Sequence, residues 1–158
     1  MPTLTNTPLI TPFLWFDQNA EEAADFYISI FPNSRRVDEL RNTGDAPGPK
    51  GGVLTLTFEL DGTRFIALNG GPIHTFNEAV SFVVNCHNQR EIDHYWSKLL
   101  EGGGSEIACG WLKDKFGLRW QVTPTRIGEL LSNSKAMQAM MQMTKLDISE
   151  LERAGQSS

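Results

Sequence analysis

The stretch CGWLKDKFGLRWQVTP, residues 109–124, decides how the rest of the chain is read. Its two apolar arms flank the charged turn KDKFG, so it reads as a β-hairpin. Side chains alternate between the two faces of a strand. Trp120 and Val122 therefore share one face, and Arg119 and Gln121 share the other. Either the polar pair marks a binding surface or it is the wet side of an edge strand.

Working outward, the segment before the hairpin is a strand (residues 79–85) followed by a helix (89–100). Ile92, Tyr95, Trp96 and Leu99 fall on one face of that helix. A similar order precedes it. Residues 9–16 are rich in β-formers, and Asn19 with Glu22 reads as a capping box opening a helix. Strands are expected at 34–40, 53–60 and 64–69, with Asp61-Gly62 as a hairpin turn. Residues 41–52, RNTGDAPGPKGG, read as a flexible loop. Asp, Tyr and Ser recur in the same order in the two helices, as Asp25, Tyr27, Ser29 and Asp93, Tyr95, Ser97. With the repeated strand–helix–strands order, this predicts an internal repeat. After Pro124 the chain turns helical. Asp147 with Glu150 forms a capping box, and Gly155 is expected just past the last helix. A face rich in methionine (Met137, Met140, Met141, Met143) is expected to pack on the body or a partner.

The composition excludes several classes. The 158 residues are 40% hydrophobic and 21% charged, an ordinary globular balance. A net charge of −5 argues against a phosphate-backbone partner, so no nucleic acid is expected. No apolar run approaches the ~20 residues of a membrane span, and no signal peptide is evident, which leaves the cytoplasm as the expected compartment. Cys86 and Cys109 are read as reduced, packed thiols.

These segments together resemble the vicinal-oxygen-chelate superfamily, the fold of glyoxalase I, extradiol dioxygenases and bleomycin-resistance proteins. Within it they are most similar to PhnB-like proteins, labelled 3-demethylubiquinone-9 3-methyltransferase-like. The resemblance rests on residues 10–34, the IDHYW of the second helix, residues 109–124 and the tail 140–155. It implies an α+β fold: two tandem βαβββ modules forming a curved mixed sheet, with a C-terminal helical tail. The whole chain, 1–158, is then a single glyoxalase-like domain, with module 1 at about 9–70, module 2 at about 79–124 and the tail at 125–155. It also implies a homodimer and a small-molecule ligand in the sheet cup.

Each module of that fold curls its sheet around a cup, and alternation then sorts side chains. The expected cup-side residues include Leu14, Phe16, Asn69, Ser81, Arg119 and Gln121, with Trp111 able to stack a flat ligand. By the resemblance, the superfamily's metal-ligand positions fall near Pro12, Ala67 or Asn69, Ser81 and Gln121. None of these is a strong ligand for a first-row divalent ion, and His74, His87 and His94 are not expected in the cup. No metal and no cofactor are therefore expected. The methyltransferase label is not expected to be literal, because no Gly-rich turn joins a strand to a helix. Two functions remain open. One is a binding module that sequesters a small anionic or carbonyl-bearing ligand. The other is a metal-independent enzyme of isomerase, lyase or transferase type, for which no general base or other catalytic residue is evident. A third possibility is that the fold serves mainly as a building block of a dimer.

Overall fold

In the computed structural model, which describes residues 7–156, the first strand β1 is only Phe13–Phe16. Residues 9–12, expected to extend it, lie outside it. It leads into helix α1 (Ala20–Ile30), then strands β2 (Arg35–Arg41), β3 (Val53–Leu60) and β4 (Thr63–Asn69). The second series is strand β5 (Ser81–Cys86), helix α2 (Gln89–Leu100) and strands β6 (Ser105–Glu106), β7 (Trp111–Lys113) and β8 (Arg119–Pro124). Three helices close the chain: α3 (Ile127–Leu130), α4 (Ser134–Met140) and α5 (Ile148–Gln156). Gly155 thus falls inside α5, not beyond it. The Asp147 cap is present, its carboxylate accepting from the Glu150 N–H at 3.0 Å.

The chain divides into two compact units, Met1–Thr75 and Phe76–Ser158, each with its own four-stranded sheet. The strand orders are β1-β4-β3-β2 and β5-β8-β7-β6. The first and last strands of each series pair in parallel, and the others pair antiparallel. This is the repeated α+β architecture that the segment order predicts. The residue match between the helices is displaced by one position, however. Burial aligns Ala23, Tyr27 and Ile30 of α1 with Ile92, Trp96 and Leu99 of α2, so Tyr27 answers to Trp96 and not to Tyr95. The recurrence of Asp, Tyr and Ser is a coincidence laid over a real repeat.

Local chemistry sets the elements. Asp61 and Gly62 both have positive φ (47° and 83°), the two-residue turn that matches the twist of paired strands. Helix α2 starts on a capping box that was legible but unread. Asn88 Oδ1 accepts from the Glu91 N–H, and the Glu91 carboxylate accepts from the His87 N–H. Helix α1 is different. The Asn19 side chain makes no cap bond. Asn69, from the end of β4, supplies its Oδ1 to the Ala20 N–H at 2.8 Å.

The expected flexible loop is held by one side chain. Asn42 is buried, and its Nδ2 donates to the carbonyls of Ala46, Pro47 and Gly48. Its Oδ1 accepts from the N–H groups of Gly44 and Ala46. The tail is equally pinned within the second unit. Gln89 donates to the Leu146 carbonyl and accepts from the Ile148 N–H, and Lys145 pairs with Asp93 at 2.7 Å. Gly110 (φ 84°) leaves room for Leu146, which a Cβ there would meet at 2.9 Å. Among the described residues, no helix is long and apolar enough to cross a membrane.

Candidate functional site

In each unit one sheet face carries a helix and the other is open. In the second unit α2 lies against β5, β7 and β8. Val84, Cys86, Leu112, Trp120 and Val122 are buried on that side. Ser81, Val83, Trp111, Lys113, Arg119 and Gln121 have the opposite parity and line the open face. Strand register sets Ser81 beside Arg119, Trp111 beside Gln121 and Lys113 beside Arg119. Ser81, Trp111, Arg119 and Gln121 thus share the open face.

The hairpin is aimed by Asp114. Its Oδ1 accepts from the Phe116 and Leu118 N–H groups, and its Oδ2 accepts from Trp120 Nε1 at 2.8 Å. A buried carboxylate needs such donors. By fixing the turn and Trp120 together, it commits Arg119 to the open side.

Arg119 is held firmly. Its Nη1 donates to the Gly117 and Phe76 carbonyls, and its Nη2 pairs with Glu78 at 2.8 Å. The Arg119 side chain is 12% exposed and that of Glu78 is 64% exposed. Arg119 Nε is buried and makes no hydrogen bond. The guanidinium, with a smaller contribution from the charge of Lys113, holds the Glu78 carboxyl below its usual range. Beside this cluster, Gln121 Nε2 donates to Ser81 Oγ at 2.9 Å. That bond leaves the amide oxygen and the hydroxyl hydrogen to meet a ligand.

The first unit corrects the expected register. Leu14, Phe16 and Asn69 lie on the face that carries α1, not on the open one. Leu14 and Phe16 are buried there. Asn69 spends its amide on the Ala20 N–H and the Val53 carbonyl. The open face instead carries Phe13, Trp15, Thr55, Thr57, Glu59, Arg64, Ile66 and Leu68. The cause is the connection before α1, which is one residue longer than that before α2 and flips the strand relative to the helix. His74, not expected on a sheet face, sets its ring edge-on to Trp15 at 4.8 Å. Sequence reading also missed Glu78 and Lys113. Lys113 could have been found by alternation from Trp111. Glu78 sits in a loop, with no periodicity to mark it.

Four positions were candidates for an inherited metal site, and their residues do not fit one. Ala67 and Asn69 face the helix. The Pro12 carbonyl accepts from the Ile66 N–H, and Ser81 and Gln121 bond to each other. A hydroxyl and an amide suit a transition metal poorly. Among the described residues, no three His, Cys, Asp or Glu converge to hold an ion. Cys86 offers no nucleophile either, since burial pushes its thiol up to about 12.

With this geometry in view, likeness to known proteins becomes informative. Residues 8–123 match the family model described as 3-demethylubiquinone-9 3-methyltransferase. A solved PhnB protein from Bacillus cereus, described under the same methyltransferase name, is 36% identical, with a TM-score of 0.65. The match covers 74% of this chain and 99% of that one. Protein PA1353 from Pseudomonas aeruginosa is 22% identical with a TM-score of 0.61, covering 75% of this chain and 98% of its own. The fosfomycin resistance protein FosX from Mesorhizobium loti shares the fold at 11% identity, with a TM-score of 0.57 and coverage of 80% and 98%. Among curated proteins none matches. The repeated βαβββ units, the matched family model and the PhnB relative agree: the chain belongs to the PhnB-like, 3-demethylubiquinone-9 3-methyltransferase family, with the glyoxalase-like fold of the vicinal-oxygen-chelate superfamily.

Proposed function

We propose that the open face of the second unit binds a small molecule through an oxyanion, a carboxylate or phosph(on)ate, without a metal ion. One observation carries the reading. The Arg119 guanidinium is part-buried and oriented by two carbonyls, yet its Nε–Nη2 edge holds only one glutamate oxygen. That edge suits a bidentate oxyanion, which would occupy both donors. Lys113 adds positive charge nearby. Ser81 and Gln121 supply hydrogen bonds, and Trp111 supplies an aromatic surface for the ligand's body. Burial of a carbonyl-bearing molecule against this face would use the same groups.

The family's name implies methyl transfer from S-adenosylmethionine, and the residues do not fit that cofactor. The strand-to-helix turns are Asp17-Gln18-Asn19, His87-Asn88 and Thr125-Arg126, none with a glycine. Gly70-Gly71 follows β4, and Gly102-Gly103-Gly104 follows α2. Sequestration of the ligand is the reading favoured over its conversion. The carboxylate nearest the anchor, Glu78, is ion-paired with Arg119, which lowers its pKa and makes it both a poor proton donor and a weak base. We also propose that two chains pair, since large apolar side chains stand exposed on both open faces.

The test is a thermal-shift screen with carboxylate, phosphate and phosphonate metabolites. A ligand of the folded state raises Tm. Hits are expected among anions, to be recovered unchanged after long incubation, and to lose at least tenfold in affinity in Arg119→Gln. Losing one charged hydrogen-bonding partner costs about 1.5–3 kcal/mol. A hit that binds Arg119→Gln equally well removes the anchor role. A hit that is chemically altered favours the enzyme reading.

A further inference from the structure

The second unit's anchor has a counterpart in the first. In β4, Phe65 pairs with Phe58, and the strand ends with Asn69 beside Phe16. In β8, Trp120 pairs with Leu112, and the strand ends with Pro124 beside Cys86. These registers superpose Phe65 on Trp120 and Asn69 on Pro124. The residue just before Phe65 is Arg64, and the one just before Trp120 is Arg119. Both arginines therefore occupy the same place in a repeated sheet, on its open face.

Each pairs one guanidinium nitrogen with a glutamate, although the cross-strand neighbour is Glu59 for Arg64 and Lys113 for Arg119. The Arg64 side chain is 18% exposed, and its Nη2 lies 3.5 Å from one oxygen of Glu59. Glu59 is shared, because its other oxygen pairs with Arg35 at 3.0 Å. Arg64 Nε is buried without a hydrogen bond, and Arg64 and Arg119 contribute the only such side-chain atoms among the described residues. A buried unpaired donor is destabilising, so its recurrence at equivalent positions calls for a reason. In both arginines the Nε–Nη2 edge is half-used by one glutamate oxygen. In the first unit one carboxylate serves two guanidiniums, so the site is short of negative charge.

The geometry points to Arg64, with Arg35, as a second oxyanion-binding position on the open face of the first unit. Its ligand would be a carboxylate or phosphate oxygen pair that displaces Glu59 and occupies both donors of the edge. The inference takes Arg119 as its template but is tested apart from it. A ligand with two acidic groups, or two separate anions, would satisfy the pair of positions. No bond is made or broken in either case.

The experiment follows the arginine Nε–H signals of the ¹⁵N-labelled full chain by NMR. Inorganic phosphate and acetate are titrated in parallel, with chloride at matched ionic strength as control. Arg64→Gln and Arg64→Lys each identify the Arg64 signal by its loss, so one variant that fails to fold does not end the test. The expected result is a saturable shift of both the Arg64 and Arg119 signals, absent in chloride. A larger response to phosphate than to acetate marks a tetrahedral ligand, and the reverse a planar one. If Arg119 responds and Arg64 does not, the second position is refuted while the proposed function stands. If Arg64 alone responds, the second position stands and the Arg119 reading falls. If neither responds, or chloride acts as phosphate does, both fall.

Discussion

Asn69 ties the end of β4 to the start of α1 and to the start of β3. It is an amide on an otherwise apolar strand, which invites a reading as a ligand group. Its Oδ1 caps α1 and its Nδ2 holds the Val53 carbonyl. Asn69→Ala would leave both of those backbone groups unpaired in the interior, at a cost of about 1–3 kcal/mol. Urea denaturation should show the midpoint fall at unchanged slope, with no change in anion affinity. Stability equal to wild type would mean that the cap is dispensable. The contrast with Arg119 and Gln121 is instructive. Their strand alternates cleanly, with Trp120 and Val122 between and beyond them, and Asp114 fixes the turn before it. Alternation then assigns the faces. In Phe13-Leu14-Trp15-Phe16 every residue is apolar, so period two carries no information about which face meets the helix. Only the length of the connection decides, and the extra residue before α1 moved Leu14, Phe16 and Asn69 to the helix side.

Among the elements, the hairpin turn, α2 and the Asp147 cap were legible because each rests on local chemistry. The 41–52 loop was not, because glycines and prolines conceal an organising asparagine. Asn42 makes five side-chain bonds to four residues of its own loop. Asn42→Ala is expected to raise amide exchange across residues 44–51 by at least tenfold, leaving α2 protected. Unchanged exchange would return the loop to the flexible reading. The junction of α1 with β2 has an electrostatic counterpart. Asp25 takes two hydrogen bonds from Arg36, at 2.8 and 2.7 Å, and these hold its carboxyl below the ordinary range. A depressed carboxylate stabilises the fold fully above its unfolded-state pKa of about 4. That contribution is lost as pH falls through the lower folded value. The Asp25 side chain is more than half exposed, so the effect is about 0.5 kcal/mol. Asp25→Asn should lower stability at pH 7 by this amount and converge with wild type as pH falls through the lowered folded value. A constant gap between the two curves over that range would assign the loss to packing.

For the whole molecule, the repeat itself was legible from the order of segments, whereas its open faces had to be seen. Phe13 and Leu40 on the first unit are 53% and 57% exposed, and Val83 on the second is 48% exposed. All three stand on sheet faces that carry no helix of their own unit. Large apolar side chains gathered on an open face mark association or ligand surfaces. A small oxyanion on Arg119 can cover only part of that area, which favours a second copy of the chain as additional cover. Light scattering on the eluting peak should therefore give twice the 17.6 kDa of one chain. Val83→Glu or Phe13→Glu should shift the peak toward one chain, because a charge buried at an interface without a partner is strongly unfavourable. If both variants stay paired, these faces are not the interface. A wild-type mass of one chain at tens of micromolar would overturn the pairing itself and leave the open faces to ligands alone.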